Sequence, residues 1–241
     1  MKRSIILFSL MILLVSSITA QNTPKPWTEW SKKDAEKLLN DSPWARTQTD
    51  GGDEPVDTTV ITATESGRGT NSGPTQSGQA KVSKAINFRV RLLTAKPVRE
   101  AFSRMVVLSQ TEQNKELAMQ LQGFIDRDFG NLVVVAILVD SQDAKVAGIA
   151  MQALSRLTVE SLKDKAYLER KDGKRLSIAD YKPPIADNIG GKFIFTRILD
   201  GQPFLTDTSD SVNFVLELTS KSKVIVKFKV ANMTYGGKLE Y

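Results

Sequence analysis

Apolar and polar positions follow two different periods along this chain, and each period marks an element. Ile86, Phe88, Val90 and Leu92 alternate with Asn87, Arg89 and Arg91, the two-residue period of a strand buried on one face. Pro97 opens a helical period through Ala101, Phe102, Met105 and Val106. A second helix from about Glu112 places Leu117, Leu121, Phe124 and Ile125 on one face and is expected to end at Gly130. The run from Leu132 to Val139 is apolar throughout, which predicts a strand covered on both faces. Val146, Ile149, Ala150, Ala153, Leu154 and Leu157 recur at helical spacing, so a helix over 143–157 is expected to cover that strand.

Beyond residue 162 the pattern becomes strands separated by turns. Strands are predicted at 166–170 and 175–181, joined through Asp172-Gly173, a pair suited to the positive φ angles of a type I′ turn. Pro183-Pro184 ends the second. Strands at 193–198, 212–218 and 224–230 follow, the last two alternating cleanly and joined through Ser220–Ser222. Tyr235, Gly236-Gly237, Leu239 and Tyr241 predict a paired C-terminal strand rather than a tail.

The N-terminal part is less regular. Lys2 and Arg3, an apolar stretch from Ile5 to Val15 and small polar residues ending at Ala20 have the order of a secretory signal peptide, expected to be removed from 1–20. The apolar stretch is about half of the roughly 20 residues that a membrane span requires, and no second long one follows, so no transmembrane segment is expected after cleavage. Ser31 stands where a helix cap belongs, with Asp34 able to answer it in a capping box. An amphipathic helix over 32–41 should follow and stop at Ser42-Pro43. Strands are predicted at 46–49 and 58–64, and residues 65–80 carry no large apolar side chain and read as a flexible surface loop. Gly67 and Gly69 begin a dinucleotide-binding pattern, but Ser72 replaces its third glycine and Pro74 follows. These elements together predict an α+β fold, mainly an antiparallel β-sandwich or open barrel with a helical hairpin and one further helix packed on it. Residues 21–241 are expected to form a single domain.

Composition then narrows the chemistry. Removing Lys2 and Arg3 with the leader leaves 31 basic against 27 acidic residues, a formal charge of +4, spread without a basic stripe or interleaved aromatics. No nucleic-acid partner is expected from such a surface. Histidine and cysteine are both absent. That removes serine–histidine triads, cysteine nucleophiles, disulfides and imidazole or thiolate metal ligation, and no cofactor or metal is expected. Two kinds of catalysis remain chemically open. A carboxylate pair could serve a hydrolase, with Asp126 and Asp128 or Asp140 and Asp143 as candidates, and Ser220 with Lys223 has the spacing of a serine–lysine pair. In each case a capping carboxylate or an ordinary turn is the simpler reading. Asp200, Asp207 and Asp210 offer oxygen ligands for calcium but lack the regular spacing of a calcium loop.

All three tryptophans, Trp27, Trp30 and Trp44, flank the first helix. They are candidate partner-binding residues, whereas the simpler reading makes them plugs docking the helix on the main body.

The run Lys25-Pro-Trp-Thr-Glu-Trp-Ser-Lys-Lys-Asp-Ala-Glu-Lys, the segment Asp41-Ser-Pro-Trp-Ala and the close Lys227-Phe-Lys-Val-Ala-Asn-Met-Thr-Tyr-Gly-Gly-Lys-Leu-Glu-Tyr241 resemble a group of uncharacterised exported bacterial proteins. The resemblance covers most of the chain after the leader. It implies a periplasmic or extracellular setting and carries no activity to transfer. The function expected is a non-enzymatic binding or structural role in the bacterial envelope, with an envelope protein as partner. The alternatives are a histidine-free, carboxylate-dependent hydrolase of envelope polysaccharide and an extracytoplasmic carrier of a small apolar ligand.

Overall fold

A computed structural model describes residues 25–51, 85–112, 114–218 and 222–241. The leader, the strand at 58–64, the loop at 65–80 with its glycines, and Ser220 lie outside them. In chain order the elements are α1 (Lys32–Asn40), β1 (Asp41–Ser42), β2 (Ala45–Asp50), β3 (Ile86–Leu92), α2 (Lys96–Ser109), α3 (Lys115–Ile125), β4 (Leu132–Ser141), α4 (Ala144–Ser155) and α5 (Val159–Leu162). They continue with β5 (Ala166–Arg170), β6 (Arg175–Ser177), β7 (Asp180–Lys182), β8 (Gly191–Thr196), β9 (Ile198–Leu199), β10 (Gln202–Pro203), β11 (Ser211–Glu217), β12 (Lys223–Lys229), β13 (Thr234–Tyr235) and β14 (Lys238–Leu239).

Two antiparallel sheets dominate: a six-stranded one in the order β1-β2-β3-β4-β8-β7 and a four-stranded one in the order β12-β11-β5-β6. The fold is α+β, with the sheets facing each other across a shared core. The two-residue alternation directs this arrangement, because it sends one set of side chains from each strand to one face. Phe88, Val90, Val135, Ile137, Phe193 and Phe195 from the large sheet enter the same apolar cluster as Leu168, Phe214, Leu216, Val226 and Phe228 from the small one. Aromatic rings pack against one another in the core between the sheets. Phe193 and Phe214 lie 5.5 Å apart edge to face, Phe195 and Phe214 6.3 Å, and Tyr181 and Phe193 4.8 Å.

β4 is covered on both faces, as its continuous apolar run predicts, but its outer cover is the α2–α3 hairpin and not the helix expected over 143–157, which packs into the main core. Val133, Val135, Ile137 and Val139 point into the sandwich, while Val134 and Ala136 lie beneath Phe102 of α2 and Phe124 of α3. The helical hairpin is fastened to this outer face by Arg99, whose guanidinium donates to the carbonyls of Ile125 (2.9 Å), Leu93 (3.2 Å) and Thr94. Three carbonyls satisfy a cation that burial would otherwise make costly. α4 contributes Val146, Ala150 and Leu154 to the main core, and the Tyr181 phenol donates to the Leu154 carbonyl at 2.8 Å.

Both ends of the described chain are tied down together. The Trp44 indole donates to the Glu240 carbonyl at 2.8 Å, and the Glu240 carboxylate accepts from the Lys96 amide at 3.1 Å. Tyr241 is buried, its hydroxyl donating to the Leu205 carbonyl at 3.2 Å while its own carbonyl accepts from Arg197.

Several boundaries differ from the sequence expectation. The expected strand 175–181 is two strands in different sheets: β6 pairs with β5, β7 pairs with β8, and the chain changes sheets through buried Ile178. Such a corner keeps the apolar alternation intact, so periodicity alone reads it as one strand. The Asp172-Gly173 turn is not type I′, since Gly173 has φ +81° while Asp172 keeps a negative φ. Lys171, Asp172 and Gly173 form a three-residue loop closed by Arg170 N donating to Lys174 O at 2.9 Å. The paired positive φ angles occur instead at Gly236 and Gly237, between β13 and β14. α3 starts at Lys115, capped by Asn114, and ends at Ile125, so Gly130 belongs to the turn beyond it. The capping box of Ser31 and Asp34 forms as expected.

Candidate functional site

The β5–β6 loop leans over the segment that follows β10. Arg170 explains why: its guanidinium donates to both carboxylate oxygens of Asp172 in its own loop and to the Phe204 carbonyl at 2.9 Å, and it lies 5.6 Å over the Phe204 ring. Phe204 and Leu205 are buried, so the residues after them start from a fixed base. Thr206 N donates to the Ser209 hydroxyl at 3.0 Å and Ser209 N donates back to the Thr206 carbonyl at 2.9 Å, closing a tight turn. Between this turn and the β5–β6 loop lies an open cleft of about 370 Å³.

Charge and hydroxyl groups line it. Arg170, Lys171, Asp172 and Asp210 supply the charges, and Thr206, Thr208, Ser209 and Ser211 supply hydroxyls. The charges are paired within the site. Lys171 meets Asp210 at 2.8 Å across the mouth, and Arg170 meets Asp172. The Arg170 hydrogen bonds hold the Asp172 carboxyl below the usual carboxylate range, and the Lys171 hydrogen bond does the same for Asp210. Both are therefore settled carboxylates, the opposite of the raised pKa that a general acid needs near neutral pH.

The four carboxylates weighed from sequence as catalytic pairs have structural partners. Asp126 follows the last turn of α3, where it accepts from Lys96 (3.1 Å) and Gln122 (2.5 Å), and Asp128 accepts from the Gly130 amide at 2.7 Å. Asp140 is paired with Arg89 at 2.5 Å and accepts from Asn87 at 2.9 Å. Asp143 caps α4 by accepting from the Lys145 and Val146 amides at 2.9 and 3.3 Å. Lys223 pairs with Glu217 at 2.7 Å, and its sequence partner Ser220 lies outside the described residues. Among the described residues no three acidic side chains gather in a metal-holding group, and Asp210 of the calcium-like loop is held by Lys171. No helix among them is long and apolar enough to cross a membrane.

The tryptophans separate. Trp44 is buried, its indole spent on Glu240 and its ring 6.1 Å from Tyr235 edge to face, so it presents no face to a partner. Trp30 is half-buried against the core, donates to the Lys25 carbonyl at 2.8 Å, and accepts from Arg104 through its own carbonyl at 2.6 Å. Trp27 is half-buried in the short 3-10 turn preceding α1.

Sequence reasoning did not find the cleft. Its two walls lie 34 to 41 residues apart and meet only because β5 and β11 pair in a register that sets Arg170 opposite Val212. The local signals, a turn at Asp172-Gly173 and a polar Thr/Ser/Asp stretch at 206–211, were visible as turns but not as partners. Comparison of the chain with protein-family models, with curated proteins and with solved structures found no match.

Proposed function

We propose that this chain is an exported, non-catalytic binding protein of the bacterial envelope and that the cleft between the β5–β6 loop and residues 206–211 is its recognition site. The observation that carries this reading is the state of the cleft carboxylates. Asp172 and Asp210 each keep a cation as hydrogen-bond partner and stay ionised, which suits recognition of a polar ligand and not proton transfer. The absence of histidine and cysteine from the sequence supports the same reading, because no other side chain ordinarily titrates near neutral pH. The mutual packing of fully buried Phe193, Phe195 and Phe214 between the sheets favours this over a carrier of an apolar ligand.

The test has two arms. Purified protein incubated with envelope polysaccharide should release no new reducing ends, and a photo-crosslinking residue at Thr208 should form a defined adduct in intact cells whereas one on exposed Lys37 should not. Turnover abolished by Asp172→Asn or Asp210→Asn would replace this reading with the carboxylate hydrolase. Recovery of the protein only in the cytoplasm would remove its envelope setting.

A further inference from the structure

Lys171 pairs with Asp210 at the mouth of the cleft, and two further lysines stand on the neighbouring strand. Asp210 is stabilised by its hydrogen bond to Lys171 and also by the fields of Lys227 and Lys229. The sheet register places these two: Lys229 stands opposite Ser211, a cleft-lining residue, and Lys227 stands opposite Asn213, one step further along the same face. Lys227 and Lys229 make no ion pair among the described residues. The lining itself balances Arg170 and Lys171 against Asp172 and Asp210. Lys227 and Lys229 on β12 add positive charge beside the cleft, with exposed Asp207 against them, so the surplus is modest and comes from the strand next to the cleft. A positive surplus beside a concave site favours ligands of the other sign.

We infer that the cleft binds a saccharide bearing an oxyanion, a carboxylate or phosphate, with Lys171 exchanging Asp210 for the anionic group of the ligand; this rests on the cleft being the recognition site. The Lys171–Asp210 pair is suited to such an exchange because both side chains are largely exposed, at 72% and 59%. Water already screens their attraction, so little holds the pair closed.

The saccharide part follows from what the exchange leaves behind. Once Lys171 turns to the ligand, the Asp210 carboxylate becomes an acceptor without its closest donor. A bare anion placed there meets repulsion, whereas a sugar offers hydroxyl donors to Asp210 and an oxyanion to the lysines. The hydroxyls of Thr206, Thr208 and Ser209 can each donate or accept and match a polyol on both counts. The cleft volume, about 370 Å³, falls within the roughly 300–1,000 Å³ of small-ligand sites.

Backbone-amide NMR of the labelled protein tests this with four probes: trigalacturonate, maltose 1-phosphate, neutral maltotriose and inorganic phosphate. One of the two acidic sugars should shift the amides of residues 170–174 and 206–211 and bind at least about tenfold more tightly than maltotriose or phosphate. Lys229→Glu and Lys171→Ala should each weaken that binding about tenfold with an unchanged melting temperature, and raising the salt to about 0.5 M should do the same. Equal affinity for maltotriose, or full affinity in K229E, overturns the anionic part of the proposal while leaving the cleft as a binding site. Phosphate binding as tightly as either sugar overturns the saccharide part. If none of the four probes shifts these amides, the proposal fails, and the Thr208 crosslink then decides separately whether the cleft recognises anything.

Discussion

The Tyr235 phenol donates a 2.5 Å hydrogen bond to Oε2 of Glu100, joining the C-terminal hairpin to the buried face of α2. Burial raises the Glu100 carboxyl above its ordinary value of 4.5, and the Tyr235 bond with the nearby Lys96 and Arg99 charges offsets only part of that. A carboxyl with a raised folded-state pKa holds its proton more tightly in the native protein than in the unfolded chain. Its favourable contribution is complete below pH 4.5 and is lost as pH climbs through the raised value. Glu100→Gln keeps an acceptor for Tyr235 and removes the titration. Thermal melts should therefore show E100Q gaining on the parent protein as pH rises from about 4 to 7, and a constant difference would contradict the assignment.

Gln48 acts as a short substitute strand. Its side-chain amide donates to the Lys223 carbonyl and its carbonyl accepts from the Ile225 amide, both at 2.8 Å, stitching the edge of the small sheet to β2. Gln48→Ala should cost about 1–2 kcal/mol, the net worth of two such bonds where water can partly replace them. Amide exchange at Ile225 should accelerate more than at Val226, whose strand bonding faces β11.

Two glycines should respond in opposite directions to alanine. At Gly190, φ is +95° and a β-carbon would collide with the Ile137 carbonyl, so Gly190→Ala should destabilise by about 3 kcal/mol or more. At Gly148, within α4, nothing lies within 4 Å of the added methyl, and Gly148→Ala should stabilise by about 0.5–1 kcal/mol. Denaturant unfolding of both variants measures the contrast.

Tyr181 holds the last turn of α4 from inside the sandwich. Tyr181→Phe keeps the ring against Phe193 and leaves the Leu154 carbonyl to the Leu157 amide at 3.2 Å, at a cost of about 1 kcal/mol. Equal stability of Y181F and the parent protein would mean that the Leu157 amide satisfies this carbonyl without the phenol.

The residues that announced themselves in the sequence are those whose surroundings are set by near neighbours. β4 could be read from Leu132–Val139 because a strand covered on both faces leaves an unbroken apolar run, and the α1 start could be read because Ser31 and Asp34 answer each other within one turn. The sheet change at Ile178 was hidden, since its side chain continues the alternation while the backbone changes partners. Arg99 was hidden as well: a buried cation on a helix has no sequence mark when its partners are backbone carbonyls, here of Ile125 and of the adjacent Leu93 and Thr94. The cleft combined both difficulties, with an unremarkable turn on each side and a pairing register that only the folded sheet supplies.

The bonds made by Glu240 and Tyr241 reach Trp44, Lys96, Arg197 and Leu205, so the final two positions complete contacts begun at four earlier points. Without Glu240 and Tyr241, the indole of Trp44 and the carbonyl of Leu205 lose these partners. A variant shortened to Leu239 should therefore open more readily and be cut sooner by proteases, because two residues fasten four otherwise separate places in the fold.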